Sequence, residues 1–192
     1  MIMGNILPTV NKKPLLTRIS FTALFAALTA AGAFISIPIG PVPIVLQNIF
    51  AVLSGIVLGP VMGSAAVALY LLAGILGLPV FAGGTGSIAR FASPTGGYLI
   101  GYLLAAFLAG IIAGRPRGGE KFSPRLIIAV MAGLLIVYVP GLGWLKYSSG
   151  LNWDRALMIG FVPFVIGDVL KAIAAVFIAP RLRRTAADFL DR

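Results

Sequence analysis

The chain carries no charged residue between Ile19 and Ala89. Soluble domains, in which about a quarter of the residues are charged, do not contain stretches of this kind. Over the whole chain 59% of residues are hydrophobic, only 10% are charged, and the mean hydropathy is +1.05. The sequence therefore predicts an all-α integral membrane protein. Its 192 residues allow five or six crossings of about 20 residues each, and the continuous apolar runs disfavour a transmembrane barrel.

Proline and glycine divide the apolar sequence into separate helices. Pro38, Gly59-Pro60 and Pro79 each interrupt an apolar run, and helix interiors rarely tolerate such residues. We predict one membrane domain over residues 1–192, with six transmembrane helices at about 19–37, 44–58, 61–78, 98–113, 126–144 and 164–180. The second and third helices are short for full crossings, which suggests tilting or a locally thin region.

The basic residues fall in clusters beside the apolar spans, so the net charge of +10 indicates membrane topology and not nucleic-acid binding. With six crossings, the side of the termini carries eleven basic residues: Lys12, Lys13, Arg18, Arg115, Arg117, Lys121, Arg125, Arg181, Arg183, Arg184 and Arg192. The opposite side carries three, namely Arg90, Lys146 and Arg155. Both termini are therefore predicted to be cytoplasmic. A cleaved signal peptide at LFAALTAAGA is the alternative, but it would leave an odd number of crossings.

The segment FVPFVIGDVLKAIAAVFIAP, residues 161–180, is apolar except for Asp168 and Lys171. A charge inside a membrane span costs about 2.5 to 3.5 kcal/mol on insertion scales, and such residues usually mark a functional site. The two residues are three apart, so they share one helix face and can meet each other or a common ligand. We predict that they form the floor of an outward-facing small-molecule site. A structural ion pair that locks this helix to a neighbour is the alternative.

Other candidate residues carry weaker signals. Arg90 lies in a Gly/Ser/Thr-rich loop and is either a ligand anchor or a snorkelling surface residue. Gln47, in an otherwise apolar helix, is either a ligand contact or an interhelical hydrogen-bonding residue. Tyr98 could equally be an interfacial aromatic residue. Ala23, Ala27 and Ala31 recur every four residues on the first helix, a pattern that suits either ordinary packing or close docking of a partner helix.

The residue inventory argues against an enzyme. The chain has no cysteine and no histidine, which removes thiolate metal sites and the commonest general base and metal ligand. Asp168 is the one buried carboxylate, so no second carboxylate completes a catalytic dyad. No Walker A motif occurs, so any ATP hydrolysis belongs to another chain. No resident cofactor or metal is predicted.

Four ordered motifs resemble one family. They are IPIGPVPIVLQN (37–48), GLPVFAGGTG (77–86), SPTGGYLIGY (93–102) and PFVIGDVLKA (163–172). Together they are similar to the BioY family, the biotin-specific substrate-binding (S) components of energy-coupling factor (ECF) transporters. The resemblance implies a six-helix S-component fold in a bacterial cell (inner) membrane, with an outward-facing biotin pocket closed by the loops after helices one and three. It also implies docking of the alanine face onto a membrane-embedded coupling (T) protein with two ATPase subunits.

The resemblance also suggests particular ligand contacts. The family's GDxxK motif corresponds to Asp168 and Lys171, which would be polar ligands of biotin. Thr85 aligns with a loop position that can be Asn in related proteins, and Ser93 stands where glycine is common. Arg90 has no firm counterpart, and we hypothesise that it anchors the biotin carboxylate. The expected function is high-affinity biotin capture for an ECF-type importer. An autonomous or proton-coupled carrier for biotin or a related small carboxylate, with Asp168 titrating, is the alternative.

Overall fold

The structure is a computed structural model that describes residues 13–38, 40–116 and 122–190. Within these ranges the fold is almost entirely helical. The helices are α1 (Lys13–Phe34), α2 (Gln47–Leu58), α3 (Pro60–Ile75), α4 (Ala89–Ala92), α5 (Gly96–Ala113), α6 (Pro124–Ile136), α7 (Tyr138–Ser149), α8 (Trp153–Gly160) and α9 (Val165–Leu190). A 3-10 turn, Val162–Phe164, precedes α9, and two strands, β1 (Ser36–Ile37) and β2 (Ile44–Val45), form an antiparallel hairpin after α1.

Helix α2 is the centre of the bundle. All its residues except Phe50 are buried, as expected for a helix that is mostly apolar all round. It packs against α1, α3, α5, α6 and α9. Backbones approach closely at Gly55, where an added Cβ would lie 1.9 Å from the carbonyl oxygen of Ala106 on α5. Only glycine fits at such a crossing, and small residues at helix contacts are the usual device of membrane bundles.

A buried arginine joins the bundle at the end that carries most of the basic residues. Arg183 on α9 is fully buried, and its guanidinium donates to the carbonyls of Ala113, Gly114 and Arg115 at the end of α5 and to that of Ile56 near the end of α2. These carbonyls belong to the last turns of helices or follow them, where intrahelical donors run out. A cation is also favourable at the negative end of a helix dipole.

Four segments are long and apolar enough to cross a membrane: Leu15–Phe34, Gly96–Ala113, Pro124–Ser149 and Trp153–Phe189. Helices α2 and α3 are apolar but shorter. The chain is therefore a multi-helix membrane protein, as predicted.

Most observed element bounds differ from the predicted ones by a few residues, and three differences are structural. Residues 37 and 44–45, assigned to helices, belong to the hairpin. The prolines between them exclude a helix, and strand pairing satisfies the backbone hydrogen-bonding groups. The helix predicted at 126–144 is interrupted at Val137, between α6 and α7. The helix predicted to end at residue 180 continues through Pro180 to Leu190, where Arg183 ties the extension to the bundle.

The alanine stripe of α1 faces outward. Ala23, Ala27 and Ala31 are exposed, whereas Phe25, Ala26 and other residues of the opposite face are buried. Four of the basic residues counted for topology, Lys12, Arg117, Lys121 and Arg192, lie outside the described residues.

Candidate functional site

Two adjoining cavities open at the end of the bundle where α2 begins. They share an apolar and aromatic wall made of Val42, Pro43, Val45, Tyr98 and Tyr102. Because one wall serves both, the two cavities form a single elongated site whose ends are lined by different polar residues.

Two loops cover this site. The hairpin loop after α1 brings Val42 over both cavities, and this side chain is only 5% exposed. The loop after α3 contributes Phe81, which is 1% exposed and packs edge-on against Tyr70, with ring centroids 5.5 Å apart. Both loops are non-helical backbone, which membrane proteins tolerate where it lines a cavity.

Asp168 and Lys171 form an ion pair at one end of the site. Lys171 Nζ lies 2.9 Å from Asp168 Oδ1, and the two side chains are 8% and 12% exposed, respectively. The sequence predicted that these residues share a helix face, and the structure has them in contact on the first turns of α9. Lys171 lines the second cavity.

Two further residues bind the carboxylate of Asp168. Asn48 Nδ2 on α2 donates to Oδ1 at 3.1 Å, and the Tyr138 hydroxyl on α7 donates to Oδ2 in a short hydrogen bond. Together with Lys171, these donors engage both carboxylate oxygens. The charge of Asp168 is thereby compensated within the bundle, as a buried carboxylate requires.

Gln47 and Arg90 line the other cavity. Gln47 is 3% exposed and its Oε1 accepts from the Tyr70 hydroxyl at 3.3 Å. Arg90 Nη2 donates to the carbonyl of Ala82 at 2.9 Å. The guanidinium offers five N–H donors in a planar fork that suits a carboxylate, so Arg90 has donors beyond the one used on Ala82.

Tyr98 lies between the two ends and lines both cavities. Its hydroxyl donates to the carbonyl of Gly160 at 2.9 Å, so the ring is held against the turn that precedes α9. The hydroxyl is thereby engaged within the protein, and the exposed part of Tyr98 in the cavity is its aromatic ring.

Like Asp168, Thr85 lines neither of these two cavities, but its hydroxyl donates to the same carbonyl as Arg90. Thr85 is exposed, and its hydroxyl lies 3.3 Å from the carbonyl oxygen of Ala82. Ser93 has a local role: its hydroxyl donates to the carbonyl of Arg90 at 2.6 Å, and its own carbonyl accepts from Trp144 Nε1. These bonds attach the loop to α7.

Sequence reasoning missed three polar or aromatic contributors, Asn48, Tyr102 and Tyr138. Asn48 directly follows the singled-out Gln47, and two adjacent amides in an apolar helix were a signal that the pair was worth examining. Tyr138 carried no such signal, because its contact with Asp168 spans 30 positions and depends on how α7 packs against α9.

The site offers a cation at each end and an apolar, aromatic wall between them. Such a cavity suits an elongated small molecule with a hydrogen-bonding head, an apolar middle and an anionic end. Among the described residues no group of three or more potential metal ligands occurs.

Comparisons with known proteins identify a family and a fold. The model of the BioY family matches residues 8–188. A probable biotin transporter BioY from Pyrococcus horikoshii is 44% identical over 165 residues, covering 86% of this chain and 95% of the relative. The biotin transporter BioY of Thermotoga maritima is 45% identical over 161 residues, covering 84% of this chain and 92% of its own. A crystal structure of the S-component for biotin from an ECF-type ABC transporter superposes with a TM-score of 0.77 at 34% identity, covering 91% of this chain and 94% of the other.

Proposed function

The chain belongs to the BioY family, and on that premise we propose that it binds biotin at the two-ended site and delivers it as the S component of an ECF-type importer. The observation that carries the proposal is the match between the site and the ligand. Biotin has a ureido head with two N–H donors and a carbonyl, an apolar thiophane ring and chain, and a terminal carboxylate.

We assign the ureido head to the end formed by Asp168 and Lys171. There an ammonium can donate to the ureido oxygen, and polar groups surround the ring. The thiophane ring and alkyl chain lie along Tyr98, Tyr102 and Val42. The carboxylate reaches the other end, where Arg90 provides a second cation and Gln47 an amide.

We propose that all six apolar segments cross the membrane, including the short helices α2 and α3. At 1.5 Å per residue, the 12 residues of α2 rise about 18 Å and the 16 of α3 about 24 Å. Helix α2 is buried by its neighbours, so its length need not match the lipid. The loops that cover the site lie at the end with few basic residues, which supports an outward-facing site, cytoplasmic termini and location in the cell membrane.

Import requires partners that this chain does not contain. Without a Walker A motif, ATP hydrolysis falls to two ATPase subunits attached to a membrane-embedded coupling (T) protein. The exposed alanines Ala23, Ala27 and Ala31 offer a flat helical face on which a T-protein helix could pack closely.

Calorimetric titration of the purified protein, stripped of co-purified ligand, tests the binding function. We expect tight one-to-one binding of biotin and none of thiamine or riboflavin. A folded sample that does not bind biotin would refute the proposal. Uptake measured with and without an ECF coupling module then separates the proposal from an autonomous carrier, because only a carrier would accumulate biotin alone and lose that activity when the proton gradient collapses.

A further inference from the structure

Asn48 has one polar atom satisfied within the protein and one that is not. Its Nδ2 donates to Asp168 Oδ1 at 3.1 Å, whereas its Oδ1 is buried and finds no hydrogen-bond donor among the described residues. The whole residue is 8% exposed. The amide cannot simply be turned round, because an ionised aspartate only accepts hydrogen bonds and the reversed amide would set oxygen against oxygen.

The unsatisfied oxygen belongs to a side chain that lines the candidate site. Asn48 shares the second cavity with Lys171 and Tyr138. Buried polar atoms nearly always have partners, so each exception calls for an explanation. A buried acceptor in a cavity wall is explained by a ligand that brings an N–H or O–H donor.

Asp168, by contrast, already has donors on both of its oxygens. Oδ1 accepts from Asn48 and Lys171, and Oδ2 accepts from Tyr138. Asp168 is also absent from the residues that line the cavity containing Asn48 and Lys171. Its carboxylate therefore does not line this cavity and instead holds the side chains of Asn48 and Lys171 by hydrogen bonds.

Lys171 has donors to offer in the same cavity. An ammonium carries three N–H groups, and the contact with Asp168 uses one of them. Because Asn48 and Lys171 both donate to the same carboxylate oxygen, their side chains are neighbours. The residues that line the cavity thus include an amide with an unpaired acceptor next to a cationic donor.

We infer that Asn48 Oδ1 accepts an N–H of the ligand's ureido ring while Lys171 donates to the ring's carbonyl oxygen. Asp168 is a positioning residue that fixes the orientation of the Asn48 amide and holds the ammonium in place. This inference rests on the proposed binding of biotin and identifies which side chain recognises its N–H group. It makes Asn48 a determinant of specificity for a ring with an unsubstituted N–H next to a carbonyl.

The test is a cycle between protein and ligand variants. Affinities of the wild-type chain and of Asn48→Leu are measured for biotin and for its two mono-N-methyl ureido derivatives. Methylation removes one N–H donor, and leucine removes the acceptor at similar volume. For one of the two derivatives, we expect the preference for biotin to fall by about fivefold or more in Asn48→Leu, as a lost hydrogen bond to a buried group implies. Ser54→Ala, which removes a buried polar group from the same helix away from the cavities, should leave the preference unchanged.

The outcomes are distinguishable. If wild type binds biotin but neither derivative shows a changed preference in Asn48→Leu, the role of Asn48 is overturned and the proposed function stands. If wild type does not bind biotin, both fail. Asn48→Ala is measured in parallel, so that a leucine variant that does not fold leaves the cycle intact. Alanine has no side-chain acceptor, and the preference should again fall.

Discussion

Asn48 on α2 and Asp168 on α9 lie 120 positions apart in the chain and are joined by a hydrogen bond of 3.1 Å between Nδ2 and Oδ1. This contact connects the central helix of the bundle to the helix that carries both intramembrane charges. Since Lys171 donates to the same oxygen, the polar floor of the site depends on three side chains from two helices. Removing any one of them changes the environment of the others.

Replacing either member of the ion pair should weaken biotin binding. Asp168→Ala leaves a buried ammonium without its counter-ion, and Lys171→Ala leaves the carboxylate uncompensated, so we expect a loss of affinity of about tenfold or more in each variant. Calorimetry on folded protein measures it. Lys146→Ala is the control, because Lys146 lies over the Trp153 ring, away from the cavities. If both substitutions changed the affinity by less than about threefold, the pair would be purely structural.

Tyr138→Phe removes the hydroxyl that donates to Asp168 Oδ2 while keeping the ring, which packs against Phe161 with centroids 4.8 Å apart. The bundle should therefore fold normally. A carboxylate that loses one charge-assisted bond holds Asn48 and Lys171 less firmly, and biotin affinity should fall by about fivefold. Tyr147→Phe, at a residue that is 80% exposed, should bind like the wild type. Equal affinities for both variants would exclude a role for Tyr138.

A bulky residue on the alanine face should separate binding from transport. Ala27 is exposed on α1 and remote from the cavities, so Ala27→Trp should bind biotin normally in detergent. Uptake by cells that contain a coupling module should drop strongly, because close helix packing requires a small residue. Ile128→Trp, at an exposed position of α6, controls for added bulk in the lipid. Intact uptake with Ala27→Trp would show that the coupling protein does not dock on the alanine face.

Arg183→Met should destabilise the protein without altering the site directly. It removes the donor from carbonyls at the ends of α2 and α5, of which those of Ile56 and Ala113 are buried, and each buried unsatisfied group costs about 1 to 3 kcal/mol. We expect a clearly lower unfolding temperature, with biotin affinity retained at low temperature. Arg181→Met, at an exposed arginine of the same helix, should unfold close to the wild type. A thermal transition unchanged by Arg183→Met would contradict the capping role.

Labelling of single introduced cysteines tests the membrane topology, since the chain itself contains no cysteine. Ser149→Cys, at the end where the site opens, should react with a membrane-impermeant maleimide on intact cells. Thr185→Cys, at the end of α9 rich in basic residues, should react only after permeabilisation. Both side chains are exposed. The reverse labelling pattern would overturn the assignment of the termini to the cytoplasm.

The sequence by itself determined the class of protein and the place of its charges. A chain without charges from Ile19 to Ala89 does not fold as a soluble domain. Helical periodicity alone placed Asp168 and Lys171 on one helix face. Four ordered motifs were enough to identify the family. These inferences succeed because hydrophobicity and helical spacing are local properties, readable from neighbouring residues.

Only the tertiary structure decided which distant groups meet. Tyr138 and Asn48 bind Asp168, Arg183 is buried as a cap and does not simply mark a membrane surface, and the Thr85 hydroxyl donates to the carbonyl of Ala82. Each outcome depends on the rotation and packing of helices far apart in sequence. Such packing is fixed by close contacts like that of Gly55 with Ala106, which residue spacing along a single helix cannot specify.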